Sequence, residues 1–257
     1  MAALTIILIP LISHDLFADE KAELTGDRPY FTESAQTVPY QSAQFETGYT
    51  YTSSSNTDEH TLGELLVRLG LLRPLEIRVG INSYVWNEEK GGSRSGKDEG
   101  YIGLKLELLQ SPGSFRLMKP DLALIAGTSL PTGSDVSIED YEPEATIAIS
   151  WPLARAFELG TSISWAAPVD SGERYAMYSA SITLGISLSD RIGMYGEYYG
   201  FYPYSMGSDP GHYINGGMTC LITDKFQLDL RAGRTVSGPV EEYYFGAGAI
   251  ALFTRLL

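Results

Sequence analysis

The chain has 257 residues, 44% of them hydrophobic, and a formal net charge of −14. The acidic balance excludes nucleic acid as a partner, because holding phosphates takes a basic stripe and the sequence has none. No internal run approaches the ~18 apolar residues of a spanning helix, which excludes a helical membrane protein, and the single Cys220 excludes an internal disulfide.

Ala2 to Ile12 is about as long as a signal-peptide core, and Leu16-Phe17-Ala18 ahead of Asp19 resembles a small-residue cleavage site. Residues 1–18 are therefore predicted to be a signal peptide, with a buried first strand as the competing reading. Residues 19–42 are polar and turn-rich, an N-terminal segment expected either to hang as a periplasmic tether or to fold back as a plug. No Pro- or Ser-rich linker divides residues 43–257, which read as one domain.

That domain is a succession of strand-like segments at about 43–52, 62–70, 74–84, 100–109, 120–130, 142–151, 156–166, 175–188, 191–202, 212–222, 225–235 and 242–253. The hairpin Ser179–Gly200 shows the pattern at its clearest. Ile182, Leu184, Ile186 and Leu188 alternate with Thr183, Gly185 and Ser187, a period of two that only a strand presents. Ser189-Asp190-Arg191 then reverses the chain, and Ile192, Met194 and Tyr198 alternate with Tyr195, Glu197 and Tyr199 on the way back.

The connections alternate in length. Leu71–Pro74, Pro152–Arg155, Ser189–Arg191 and Thr223–Lys225 are tight, with 110–119 of middling length. Thr52–Thr61, Asn82–Gly100, Pro131–Tyr141, Pro168–Arg174 and Pro203–His212 are expected to be longer polar loops. An even strand count with short turns at one end and long loops at the other predicts an all-β transmembrane antiparallel β-barrel of about twelve strands in the bacterial outer membrane. A ring of that width is difficult to fill with Leu and Ile, so the aliphatic face is expected to meet outer-membrane lipid and the polar face to line the lumen. Tyr49, Tyr51, Tyr84, Trp86, Trp151, Trp165, Tyr202 and Tyr204, near strand ends, are expected to form the aromatic girdles.

Asp27-Arg28-Pro29-Tyr30-Phe31-Thr32-Glu33-Ser34, then Thr37-Val38-Pro39 and Gln44-Phe45-Glu46-Thr47-Gly48-Tyr49, resemble the opening of the MetA-pathway of phenol degradation family of outer-membrane barrels. Ser129-Leu130-Pro131-Thr132-Gly133, Leu188–Arg191 and Tyr195–Gly200 are similar to that family's loops and turns. The chain departs from the pattern at Tyr30, where the family more often has an acidic residue, and in closing on Ala251–Leu257 without a final aromatic residue. The resemblance implies a transporter-like barrel that passes hydrophobic aromatic compounds; it fixes no binding residue.

His14, His60 and His212 are far apart and Cys220 is alone, so no metal site and no cofactor are expected. A Ser–His hydrolase would have to use His212, at the start of a strand beside Tyr213. Strand parity puts Glu46, Glu64, Glu76, Glu107, Glu144, Glu158, Glu197 and Asp229 inward with Arg68, Arg78, Lys105 and Arg231, as cross-strand ion pairs of a wet lumen. Its carboxylate excess favours neutral or cationic permeants over anions. The predicted function is passive diffusion of small hydrophobic or aromatic solutes, contacted by Tyr195, Glu197, Tyr199, Arg78, Asp229 and Arg231, none of them catalytic. The alternatives are a structural or interaction barrel with a plugged lumen and an outer-membrane hydrolase. Membrane lipid, the solute and the barrel-assembly machinery are the expected partners.

Overall fold

The computed structural model describes residues 23–81, 83–89, 91–110 and 120–255. The expected signal peptide, residues 1–18, and all but one residue of the 110–119 connection lie outside these. Twelve antiparallel strands close into a ring: β1 (Ser42–Ser54), β2 (Thr57–Leu72), β3 (Leu75–Ile81), β6 (Gly100–Leu109), β7 (Asp121–Leu130), β8 (Glu142–Ala154), β9 (Phe157–Ala166), β12 (Met177–Ser187), β13 (Ile192–Tyr202), β14 (Gly211–Thr223), β15 (Phe226–Ser237) and β16 (Glu242–Thr254). Closure is made by β1, which pairs with β16 on one side and β2 on the other. Each ring strand overlies one of the twelve predicted segments. A closed ring leaves no unpaired edge, which is the condition for a sheet to stand in hydrocarbon.

Two expected loops are strands. Across Thr52–Thr61, β1 and β2 continue as one hairpin to Ser54 and Thr57. Asn82–Gly100 contains β4 (Tyr84–Glu89) and β5 (Gly92–Lys97), and β4 pairs along the outer half of β2. The cause lies at a bulge in β2, where Gly63 and Glu64 have φ of 111° and 39° and the register against β1 shifts between Glu46 and Gly48. A bulge reverses the pleat, so the alternation does not run through it. Within the expected loop Pro168–Arg174, β10 (Val169–Asp170) and β11 (Glu173–Arg174) make a minimal ladder.

The wall is inverted relative to a water-soluble protein. Ile102, Leu104, Ile182, Leu184, Ile214 and Leu230 are 40–62% exposed, while Gln44, Arg68, Glu76 and Lys105 are 0% exposed. So large an apolar surface is stable only against lipid. Tyr84, Trp165 and Tyr202 stand on this outer surface as expected, and Tyr49 and His60 join by a 2.7 Å hydrogen bond, with His60 stacked on Trp86 at 4.5 Å. Tyr204 departs from the girdle: it turns into the lumen, its ring 6.4 Å from that of Tyr213.

Candidate functional site

The lumen is crossed by residues 23–41, an irregular stretch whose backbone donors need acceptors at membrane depth. Inward carboxylates supply them. Glu46 on β1 accepts from the Asp27 and Arg28 amides at 3.3 and 3.0 Å, and Glu197 on β13 from those of Phe31 and Thr32 at 2.9 and 2.7 Å. On β3, Glu76 takes the Val38 amide at 2.8 Å; on β6, Glu107 takes that of Thr37 at 3.3 Å. Ser162 on β9 takes the Glu33 amide at 2.9 Å. Much of the acidic lumen is thereby committed to the chain's own backbone.

Asp27 sits among three cations, Arg78 at 2.7 Å, Lys105 at 3.1 Å and Arg68 at 3.2 Å. Arg68 also holds Glu76 at 2.7 Å and Glu46 at 3.0 Å, and Arg78 reaches Glu33 at 3.1 Å. Charges taken out of water are tolerable only when paired and hydrogen-bonded in this way. Arg28 pairs with Glu64, which sits at the bulge of β2, and with Asp229 at 3.4 Å. Its guanidinium lies over Gly48 and Gly248, register partners on β1 and β16, where a Cβ on either would collide with it. Gly248→Val is expected to expel Arg28 at a cost of about 1–3 kcal/mol of overpacking, read as a lowered denaturation midpoint; an unchanged midpoint would show that the niche is not occupied.

Among the cavities along the crossing segment, two lie on either side of Tyr30–Glu33. The outer one, about 760 Å³, is walled by Phe31, Tyr199, Phe201, Tyr204, Tyr213 and Tyr244. The inner one, about 450 Å³, is bounded by Leu24, Glu158, Thr183, Gly185 and Gln227. Tyr30 and Glu33 border both. Burial raises the Tyr204 phenol above its ordinary value and nearby Glu242 adds to this, so it stays protonated in the mouth.

All six residues predicted to meet solute point inward, in two groups. Tyr195 donates to the Pro29 carbonyl at 3.1 Å and packs on Tyr30, while Glu197, Arg78 and Asp229 are taken by Phe31, Asp27 and Arg28 as above. Tyr199 and Arg231 line the outer cavity, Arg231 also donating to Thr50 at 2.7 Å and Glu64 at 3.1 Å. Phe31, Tyr213, Asn215 and Tyr244 were outside the predicted set. Tyr213 and Asn215 stand directly opposite Tyr199 and Glu197, so extending the parity of β13 one strand further would have found them. His212, the only candidate hydrolase base, lies on the outer wall with Nδ1 2.7 Å from the Tyr198 hydroxyl. Among the described residues no cluster of His, Cys, Asp and Glu could hold a metal ion.

A closed ring, apolar outside and charged within, defines an outer-membrane β-barrel. Within that class the chain belongs to the family described as "Putative MetA-pathway of phenol degradation", whose model matches residues 26–253. Among solved structures it is similar to an outer-membrane channel from Pseudomonas putida F1, at 11% identity over 85% of this chain and 98% of that one, with a TM-score of 0.69. It is also similar to the NanC porin, at 9% identity over 80% and 98% with a TM-score of 0.54. The KdgM porin, solved with disordered oligogalacturonate, matches at 5% identity over 80% and 98% with a TM-score of 0.50. At such identities these likenesses speak for the fold. No curated protein matches the chain in sequence.

Proposed function

We propose that the barrel is a non-catalytic, passive outer-membrane channel for small neutral solutes, aromatic ones foremost. The observation that carries this is the pair of cavities, about 760 and 450 Å³, lying in one polar lumen and separated by the Tyr30–Glu33 stretch. The likeness to an outer-membrane channel and to a porin supports it, and the family description together with the ring-lined outer cavity supports the aromatic class. Residues 23–41 act as a plug-like constriction that sets the bore, and Tyr199 and Arg231 meet the solute first. The barrel-assembly machinery is the route of insertion.

The hydrogen bonds holding that stretch favour one second reading, a permanently closed barrel that serves the envelope. Planar bilayers and liposomes separate the two. The channel reading expects discrete conductance steps and uptake of phenol faster than of benzoate, since the luminal carboxylates oppose an anion. A silent bilayer with no uptake of either would leave the closed barrel standing.

A further inference from the structure

We infer that Glu158 is a specificity-determining residue of the channel: it stands free in the inner cavity and there favours small monovalent cations, alkali or ammonium-type, over anions. Strand parity fixes its direction. On β9, Ser162 takes the Glu33 amide inside the lumen and Gly160 lies against Thr32, so Glu158, two residues nearer the β8–β9 turn, faces inward as well. Its register partner on β12 is Gly185, where a Cβ would meet nothing nearer than Glu158 itself at 3.8 Å, so no wall of side chains closes over the carboxylate. The Glu158 side chain is exposed, and the space it borders is the cavity of about 450 Å³.

The state of the other charges singles it out. Arg28, Glu33 and Arg155 border the same cavity. Arg28 is held by Glu64 and Asp229, and Glu33 by Arg78 at 3.1 Å. Elsewhere in the lumen the carboxylates of Glu46, Glu76, Glu107 and Glu197 are spent on the crossing segment's amides. Among the described residues Glu158 has neither a hydrogen bond nor an ion pair, and the charge that acts on it is Asp121, of the same sign. Arg155, in the turn between β8 and β9, is likewise unpaired among the described residues and opposes Glu158 from the cavity's edge. A carboxylate left without a partner in a narrow wet space walled by protein acts through a lower effective dielectric than bulk water, so it draws cations in and turns anions away.

This inference rests on the channel reading in that the cavity lies on the solute's way through the lumen. A thiol placed inside the cavity tests it without requiring current. Ser187 is exposed and borders the cavity two residues along β12 from Gly185, so Ser187→Cys in a Cys220→Ser background supplies the reporter. The full-length barrel in detergent at low salt is labelled with a cationic and an anionic methanethiosulfonate, each rate being divided by that of a free thiol in solution. The cationic reagent is expected to be favoured, and Glu158→Gln, which keeps the side chain's shape, to lower the cation-to-anion ratio about three-fold or more. Arg155→Gln is expected to raise it, and Asp190→Asn, in the exposed turn between β12 and β13, to leave it unchanged. A ratio unmoved by Glu158→Gln, or moved as far by Asp190→Asn, would overturn the assignment. Reversal potentials in planar bilayers under a KCl gradient keep the two readings apart: current whose ion preference ignores Glu158 removes the filter and leaves the channel, whereas labelling that depends on Glu158 in a barrel passing no current keeps the cation site and removes the channel.

Discussion

Asp27→Ala is expected to raise the single-channel conductance of the barrel. In the native arrangement this one carboxylate faces Arg78, Lys105 and Arg68 and also accepts the Ser34 amide at 2.9 Å, so it ties the crossing segment to three ring strands at once. Removing one partner of a buried ion pair costs about 3–5 kcal/mol, because the remaining charges lose their compensation. At ~1.4 kcal/mol per factor of ten, the ratio of docked to undocked segment falls by on the order of 10² to 10³. The ring retains its own pairs, Arg68 with Glu76 and with Glu46, so strand pairing is unaffected. Asp190→Ala, in the exposed turn between β12 and β13, serves as the control and is expected to leave conductance unchanged. A folded Asp27→Ala barrel with native conductance would show that the segment does not limit the bore.

The strands were legible because one side of every ring strand meets lipid and the other meets the lumen, and that division writes a period of two into residues such as Ile182–Ser187. Where the division lapses, so does the signal. The β4–β5 hairpin pairs only along the outer half of β2, its β5 strand is almost wholly exposed, and Gly92–Lys97 carries no alternation at all. The contacts of Asp27–Ser34 were illegible for a different reason. This stretch has no periodicity, and its partners lie far away along the chain, Lys105 78 residues and Asp229 201 residues distant. Parity could say that Arg78 and Glu197 face inward; it could not say that the chain's own N-terminal segment meets them there.

Arginine on the outer face tests the orientation of the whole wall. Ile182 and Leu230, at the midpoints of β12 and β15, are 50% and 62% exposed. Ile182→Arg and Leu230→Arg are each expected to cost about 2–4 kcal/mol in denaturant titrations of the barrel folded into lipid vesicles. The sites share no partner and stand three strands apart, so the double variant is expected to lose roughly the sum. Depth provides the internal control. Ile222 is 46% exposed beside the turn after β14, near the interface, where Ile222→Arg costs only about 0–1 kcal/mol because the side chain reaches headgroups and water. Gln227→Lys, on the inner cavity, is expected to be tolerated because its charge stays in the wet lumen. A soluble sandwich with the same exposed positions would accept the three outer-face charges equally, since each would point into water, and would reject the one at buried Gln227. Equal and small effects at Ile182, Leu230 and Ile222 would therefore show that hydrocarbon does not surround the ring, whereas a cost that grows toward mid-wall requires a bilayer around it.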